Sequence, residues 1–350
     1  MDIIKLLTPR AIAAYYNEAN MNTDDYLGLG LFPARKQAGL DLSWIKGSNG
    51  LPISLMPTAF DAKATFRDRI GVDKIDTEMP FFREGFKIKE KDRQELLRVQ
   101  NEGDPYFNAV MDRVFNDAGN LIAGANVVPE RMRMSLLFPE GGDMQIAIKA
   151  NGVDYSYNYD PNGTWKSTNY TALSGSDKWD TTTADPIHTI DTIRKSMRMA
   201  HGTEVDTIIM NSATWEKFMS APSVLARISA TAPAYATDDE IRNVVAKYLN
   251  MSVVVYDKMY RDEDKVAHNF IPDGYISLIP NAPLGATNYG TTPEEADLMG
   301  SDMAEVVIVN TGVAISREIQ QHPVNVNTFA SEIVLPSFER MDDVACCKVY

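Results

Sequence analysis

The sequence has very few cysteines, and their position excludes the structures that depend on them. Only two occur in 350 residues, at the adjacent positions Cys346 and Cys347. Neighbouring cysteines seldom pair with each other, because the bond would be strained. We therefore expect no disulfide staple and no cysteine-based metal site. A buried, inert role is favoured over a redox pair, because successive residues of a strand face opposite sides.

Long apolar runs and a signal-peptide pattern are also missing. No run reaches the roughly 18 to 20 residues of a membrane span, and residues 1–16 contain one Lys, one Arg and no cleavage pattern. We therefore expect no membrane contact and a protein that is made and used in a cytosol. Hydrophobic residues make up 44% of the chain and charged residues 23%, which suits a globular protein with one large core or two modest ones.

Positive charge is scarce. The formal net charge is -14 and the pI is near 4.8, so the chain repels polyanions and lacks the basic surface that grips DNA or RNA. Any nucleic acid nearby would be contained and not bound. The shortage is most marked in residues 266–316, which have no Lys or Arg. This stretch contains the acids Asp273, Glu294, Glu295, Asp297, Asp302 and Glu305.

No arrangement of residues typical of an active site is present. The histidines show no metal-ligand spacing, and Gly28 and Gly30 lack the further residues of a phosphate loop. Ser174 lies in a polar stretch that does not suit a nucleophile elbow. Acidic groups at residues 238–240, 262–264 and 294–295 are better explained as helix caps and turns than as general acids or cation ligands. We expect no enzyme, no cofactor and no metal.

The most unusual feature that is present is a dense mixture of charges in residues 61–98, where the signs balance. Short alternations at residues 70–72 and 86–89 predict two strands around a tip between residues 71 and 80. Such a long hairpin is marginally stable alone and needs a neighbour. Taken by itself, the segment is better explained as a solvated, ion-paired surface hairpin than as a functional contact, since exposed ion pairs contribute little stability.

A long helix is predicted after this segment. Apolar residues recur at three-and-four spacing from residue 107 onwards, and the pattern continues to Leu137. Asp104 is the candidate N-cap, Pro105 occupies the first helical position, and Pro129 is the expected site of a kink. At about 1.5 Å per residue, an unbroken helix would be roughly 50 Å long and could act as a spine.

Shorter elements follow the helix. Asn151-Gly152 is a two-residue hairpin turn, and residues 160–183 form a polar connection. Helices are then predicted at 186–200, 212–220 and 238–249, and strands at 205–210, 252–256 and 275–279, which indicates an α/β or α+β subdomain. Ser212 is one expected N-cap, and Thr237 with Glu240 has the spacing of a capping box. Further strands are predicted at 305–309 and 313–319, with an extended ending at 333–350.

Residues 253–298 carry a resemblance to a known family. They are VVVYDKMYRDEDKVAHNFIPDGYISLIPNAPLGATNYGTTPEEADL. A strand ends in Tyr256, a polar hairpin leads to Asn269-Phe270-Ile271-Pro272-Asp273, and a second strand precedes Gly285 and Tyr289-Gly290. This run resembles the lambda-type phage major capsid proteins, also called capsid protein E. The order of elements over most of the chain is similar to the HK97-like capsid fold.

The resemblance implies an α+β, HK97-like architecture in five parts. These are an N-terminal arm (1–50), an E-loop hairpin (51–90), a peripheral domain with the spine helix (91–184), an axial domain (185–309) and C-terminal strands that complete the peripheral domain (310–350). It also implies the major capsid protein of a tailed bacteriophage. Such a protein assembles in the host bacterial cytoplasm into the hexamers and pentamers of an icosahedral virion shell around double-stranded DNA.

The resemblance also gives the charged segment a role. In this fold an E-loop lies over a neighbouring subunit, so the candidate intersubunit contacts are Arg67, Arg69, Lys74, Asp76, Glu78, Phe81, Phe82 and Arg83. Scaffold, portal and decoration proteins are further possible partners. Some members crosslink through a loop lysine, for which Lys63 and Lys74 are eligible, but we expect no crosslink here. A cellular nanocompartment shell of the same fold and an α/β enzyme stay open as alternatives.

Overall fold

The computed structural model describes residues 8–18, 26–46, 73–88, 90, 105–150, 153–228, 236–299, 305–322 and 324–350. These residues form two compact units, each of which combines segments that are distant in sequence. Of the described residues, the first unit holds those up to 42 and those within 76–132 and 286–337, and the second holds those within 43–75, 133–285 and 338–350. The mixture of helices and strands confirms the predicted α+β class.

The strands are β1 (Ala34–Lys36), β2 (Asp41–Lys46), β3 (Asp73–Glu78), β4 (Phe81–Ile88), β5 (Gln145–Ala150), β6 (Val153–Asn158), β7 (Tyr170–Ala172), β8 (Thr207–Met210), β9 (Ser252–Val255), β10 (Met259–Arg261), β11 (Ala267–Asn269), β12 (Tyr275–Ile279), β13 (Ala286–Tyr289), β14 (Glu305–Val309), β15 (Val313–Gln321), β16 (Val324–Ser337) and β17 (Ala345–Lys348). The helices are α1 (Pro9–Glu18), α2 (Leu27–Leu31), α3 (Pro105–Leu137), α4 (Thr164–Asn169), α5 (Pro186–His201), α6 (Ser212–Ser220), α7 (Pro222–Ile228) and α8 (Asp238–Leu249).

A six-stranded sheet is the centre of the first unit. Its strand order is β1-β13-β16-β15-β14, and β4 pairs with β16 outside that path. The long β16 runs antiparallel to β4 along residues 326–333, to β13 along 334–337 and to β15 along 324–331. Strand β16 therefore pairs with three strands, of which β4 lies far away in the sequence.

Helices α1 and α3 cover strands β14 and β15 and form a core with them. Its buried side chains are Ile12, Ala13, Tyr16, Ala118, Ile122, Val309 and Ile315. The Tyr16 hydroxyl accepts a hydrogen bond of 3.0 Å from Nδ2 of Asn126. Both side chains are buried, and this bond satisfies polar groups that burial would otherwise leave costly.

The second unit contains a five-stranded mixed sheet with the order β7-β17-β12-β8-β9. Strand β12 is antiparallel to both of its neighbours, whereas β8 is parallel to β9 and β17 is parallel to β7. Every residue of β12 is buried, as expected for a central strand. Its core joins the sheet to the helices α5 to α8 and includes Ile190, Trp215, Phe218, Val245, Ile276 and Cys347.

The long helix is confirmed. Helix α3 is unbroken over 33 residues and contains Pro129 in its interior, while the candidate N-cap Asp104 lies outside the described residues. The predicted helices 212–220 and 238–249 and the predicted strands 275–279 and 305–309 also have the expected bounds. Strands β5 and β6 pair up to Ala150 and Val153, which confirms a two-residue connection.

One predicted helix cap is confirmed and the other is wrong. Thr237 and Glu240 form the capping box at the start of α8. The N-cap of α6 is Asn211 and not Ser212, because the side chain of Asn211 accepts a hydrogen bond of 2.9 Å from the backbone N–H of Thr214. Ser212 is already the first helical residue, and its N–H donates to Oδ1 of Asp257 at 2.7 Å.

The predicted hairpin in residues 61–98 is wrong for the part of that segment that the structure describes. Strands β3 and β4 flank Met79 and Pro80, but β3 pairs with β2 and β4 pairs with β16. The backbone N–H of Met79 donates to the carbonyl of Leu40 at 2.9 Å, which extends the pairing towards β2. Pairing with β16 therefore replaces the local hairpin. Residues 61–72 and 91–98 lie outside the described residues.

Two other segments are more ordered than their composition predicts. The polar connection 160–183 contains α4 and β7, and Trp165 of α4 donates from Nε1 to the carbonyls of Met341 at 2.9 Å and Val344 at 3.1 Å. The extended ending is interrupted by a turn at Met341–Asp343, after which β17 joins the five-stranded sheet. Residues 286–309 thus group with the first unit and 338–350 with the second; the five-part division by function stays a prediction.

Candidate assembly surface

Strand β4 presents part of the charged segment on the surface of the first unit. The side chains of Arg83, Glu84 and Lys87 are exposed, whereas Ile88 is buried. One edge of β4 is paired with β16 along its whole length. No strand in the described part of the chain pairs with the other edge. An edge of this kind offers backbone N–H and C=O groups to a second chain.

An ion pair joins β4 to an acidic turn. The guanidinium of Arg83 binds Oε1 of Glu294 and lies 4.7 Å from the centre of the Phe81 ring. The side chain of Glu294 is only 6% exposed, whereas that of Arg83 is 44% exposed. Oε2 of Glu294 makes no hydrogen bond to the described residues. Arg83 therefore stabilises a carboxylate that would otherwise be buried without a counter-charge.

A second cation binds the same turn from the N-terminal part of the unit. Nζ of Lys36, at the end of β1, lies 2.5 Å from Oε2 of Glu295 and 3.0 Å from the carbonyl oxygen of Gly290. Lys36 and Arg83 thus neutralise adjacent acids from two different strands. The locally acidic stretch noted in the sequence is, at this turn, paired with cations from elsewhere in the unit.

The structure brings together some of the predicted contact residues. Phe81, Phe82 and Arg83 lie on β4, and Lys74, Asp76 and Glu78 lie on β3. Asp76, Glu78 and Arg83 are exposed, and the two phenylalanines are half-buried. Arg67 and Arg69 lie outside the described residues. Because β3 and β4 belong to different sheets, the six described candidates do not form one continuous strand pair.

Sequence reasoning missed Lys36 and the special position of Glu294. The sequence favours helix capping and turn formation for Glu294-Glu295 over general acid or cation-binding roles, and Lys36 is part of no motif. The available signal was the stretch without Lys or Arg, since a buried acid in such a stretch must find its cation elsewhere. The identity of that cation depends on sheet topology and could not be inferred from spacing.

The motif that carried the resemblance is held by hydrogen bonds in the second unit. Nδ2 of Asn211 donates to Oδ1 of Asp273 at 2.5 Å and to the carbonyl of Ile271 at 3.2 Å. The N–H of Gly274 donates to the hydroxyl of Thr214 at 3.0 Å. Gly274 has a positive φ of 79°, a conformation that favours glycine. The motif therefore forms a tight turn locked onto the N-terminus of α6.

Two other kinds of site are absent from the described residues. None of their helices is long and apolar enough to cross a membrane. They also contain no group of three or more His, Cys, Asp or Glu side chains placed to hold a metal ion.

Comparisons with known proteins agree on one class. The family model described as phage major capsid protein E matches residues 8–349, while no curated protein sequence is significantly similar. The putative capsid protein of a prophage of E. coli CFT073 is 14% identical, with 98% of this chain and 99% of that chain covered and a TM-score of 0.58. A phage-related protein of Bordetella bronchiseptica RB50 is 11% identical over 97% of both chains, with a TM-score of 0.55.

A third solved structure, the capsid asymmetric unit of cyanophage A-1(L), is 14% identical and covers 95% of this chain and 94% of that one, with a TM-score of 0.51. Identities this low show the fold alone. The described chain therefore has the HK97-like capsid fold that the sequence resemblance implied.

Proposed function

The chain belongs to the phage major capsid protein E family, and from this premise we propose that its copies assemble into the hexamers and pentamers of an icosahedral shell around double-stranded DNA. The observation that carries the proposal is the match of one family model to residues 8–349. The protein is a structural component of the phage capsid and not an enzyme. The capsid is assembled from copies of this chain.

The charged segment 61–98 supplies the intersubunit contacts in this proposal. Balanced charges can give contacts that are specific yet individually weak, which lets an assembling shell correct errors. The edge of β4 with which no described strand pairs and the exposed Asp76, Glu78 and Arg83 support this assignment. Arg67, Arg69, Lys74, Phe81 and Phe82 complete the proposed set. Arg83 has a double role, since it also pairs with Glu294 in its own subunit.

The acidic balance suits the proposed cargo. With a net charge of -14 per subunit, the shell would enclose packed DNA without binding it tightly, because both carry negative charge. Assembly in the host bacterial cytoplasm, with scaffold, portal or decoration proteins as further partners, belongs to the same proposal. The family match favours this function over a nanocompartment shell, which would enclose a protein cargo.

The direct test is expression of the chain alone, followed by size-exclusion chromatography and negative-stain electron microscopy across a range of protein concentrations. Closed shells, hexamers or pentamers support the proposal. A folded protein that stays monomeric or dimeric at every concentration, and on addition of a crowding agent, contradicts it.

A second experiment tests the contact residues. The triple variant Arg67→Glu, Arg69→Glu and Lys74→Glu is expected to fold, with an unchanged circular dichroism spectrum, but to form no shells. The matched control reverses three exposed lysines on helices of the second unit, Lys195, Lys217 and Lys247, and changes the net charge equally. Shells from the triple variant contradict the assignment. Loss of shells in the control shows that net charge, and not position, is decisive, and also contradicts it.

A further inference from the structure

The two-stranded sheet of β10 and β11 is exposed over the whole of one face and, near the turn at residues 262–266, over part of the other. Met259 pairs with Asn269, Tyr260 with His268 and Arg261 with Ala267, and no other strand of the described residues joins this sheet. Because side chains alternate along a strand, Met259, Arg261, Ala267 and Asn269 share one face. We call this the Met259 face. All four of its side chains are exposed, Met259 at 59%.

The opposite face is organised by aromatic rings and one acid. The ring of Tyr260 lies 4.9 Å from that of Phe270 and 5.5 Å from that of His268. Nε2 of His268 lies 2.7 Å from Oδ2 of Asp262, and this hydrogen bond holds the pKa of Asp262 below its usual value. The N–H of Asp262 donates a hydrogen bond to the carbonyl of Val266, so the two residues lie opposite each other. The side chain of Val266 is 52% exposed. We call this the Val266 face.

The Met259 face is complementary to the Val266 face of another copy, but neither face is complementary to a second copy of itself. Each carries an exposed apolar side chain, Met259 or Val266. The Met259 face has the cation Arg261, which makes no ion pair with the described residues, while the Val266 face has the carboxylate of Asp262, whose side chain is 18% exposed beside His268. A two-stranded sheet that no further strand joins is marginally stable in water. Contact of unlike faces would bury both apolar groups and pair the charges.

We infer that the β10–β11 sheet is a head-to-tail contact between copies of this chain, in which the Met259 face of one subunit packs against the Val266 face of the next. Head-to-tail contacts between identical subunits close into rings when the rotation allows. This inference rests on the proposed assembly into hexamers and pentamers. It adds a contact that is separate from the charged segment 61–98.

Cysteine crosslinking tests the orientation of this contact. The variant Met259→Cys/Val266→Cys carries one thiol on each face, so the two thiols of one sheet cannot pair. The native Cys346 and Cys347 are buried and give little background. Mild oxidation of assembled protein should give a non-reducing gel ladder that extends to five- and six-subunit species. Each single variant, Met259→Cys or Val266→Cys, should stay monomeric on the gel.

The possible results separate this inference from the proposed function. Wild-type shells with no ladder from the double variant overturn the contact and leave the capsid function standing. Dimers from Met259→Cys alone indicate like-to-like contact and overturn the head-to-tail arrangement. A supporting measurement is the variant Met259→Ser/Val266→Ser, which should lose shells at least tenfold relative to Met199→Ser. Met199 is 78% exposed in the same unit, so equal loss in that control also overturns the inference.

Discussion

Gly85 on β4 lies opposite Phe329 on β16, and the ring of Phe329 covers it. A Cβ atom placed on Gly85 would lie 2.5 Å from Cδ1 and 2.9 Å from Cε1 of that ring, and 3.0 Å from the carbonyl oxygen of Thr328. Atoms cannot approach this closely without a shift. Strand β4, which carries candidate contact residues, can therefore pack closely against β16 only because residue 85 has no side chain.

Gly85→Ala should therefore destabilise the subunit. We expect a loss of about 1–3 kcal/mol in the free energy of unfolding, the usual range for overpacking, measured by urea denaturation. Gly30→Ala is the matched control, because nothing lies within 4 Å of its added Cβ and alanine is favoured over glycine in a helix such as α2. Equal stability of the two variants would contradict the packing seen here.

Arg83→Met should destabilise the folded subunit even before assembly. It leaves the carboxylate of Glu294, whose side chain is 6% exposed, without its cation. We expect a loss of about 1–2 kcal/mol, below the range for a fully buried pair because Arg83 is itself 44% exposed. The control is Lys149→Met, whose pair with Asp154 is 80% and 56% exposed and should change stability by less than about 1 kcal/mol. An unchanged urea midpoint for Arg83→Met would assign Arg83 to intersubunit contact alone.

Local signals in the sequence predicted the helices well. Helix α3 has regular apolar spacing, and α8 begins with a capping box, so each is specified by residues within a few turns of one another. The cap of α6 was assigned one residue late, because Asn and Ser are both good caps and adjacent here. Tertiary contacts decide between them: Asn211 also reaches Asp273, and the N–H of Ser212 reaches Asp257.

The partner of β4 could not be predicted in the same way. A hairpin between neighbouring strands has a short loop to close and is the default expectation. The observed partner lies at residues 326–333, far along the chain, and the alternation in β4 carries no information about which strand it joins. For the same reason, the place of Arg83 in the charged segment marked it as a candidate contact, while nothing local indicated its ion pair with Glu294.

Asn211→Ala should destabilise the second unit by about 1–2 kcal/mol, the range for loss of an N-cap, with a further effect on the 270–274 turn. The variant loses the bond to Thr214 N–H and both bonds to the turn. Ser212→Ala is the control and should change the thermal or urea midpoint little, since its side chain makes no hydrogen bond to the described residues and lies exposed in the first turn. A larger effect from Ser212→Ala would restore Ser212 as the cap.

Acid should weaken α8. Two hydrogen bonds lower the pKa of Asp238: the larger effect comes from Arg242 and the smaller from Nε1 of Trp215, at 2.6 Å. The hydrogen bond from the backbone N–H of Thr237 lowers the pKa of Glu240. Because both folded-state pKa values lie below the unfolded values of about 3.9 and 4.3, the stabilisation is complete above these values and is lost as the pH falls through the lowered ones.

The measurement is the urea midpoint between pH 6 and pH 3 for the wild-type chain and for Asp238→Asn/Glu240→Gln. The variant should be less stable at pH 6, and its disadvantage should shrink as the pH falls from the unfolded-state pKa values towards the lowered folded-state ones, because the wild-type carboxylates then lose their charge-dependent stabilisation. Parallel pH profiles for the two proteins would show that neither carboxylate stabilises the folded state through its charge.

The two adjacent thiols should be unreactive in the folded protein. Burial raises the pKa of Cys347 to about 12 and raises that of Cys346 well above its usual value, and Cys347 packs in the core of the second unit. Since the thiolate is the reactive form, iodoacetamide at pH 8 should modify neither residue natively and both in urea, as counted by mass spectrometry. The exposed Ser220→Cys variant provides a reactive thiol as the control. Native modification of Cys346 or Cys347 at the rate of that control would mean that β17 opens readily from β12.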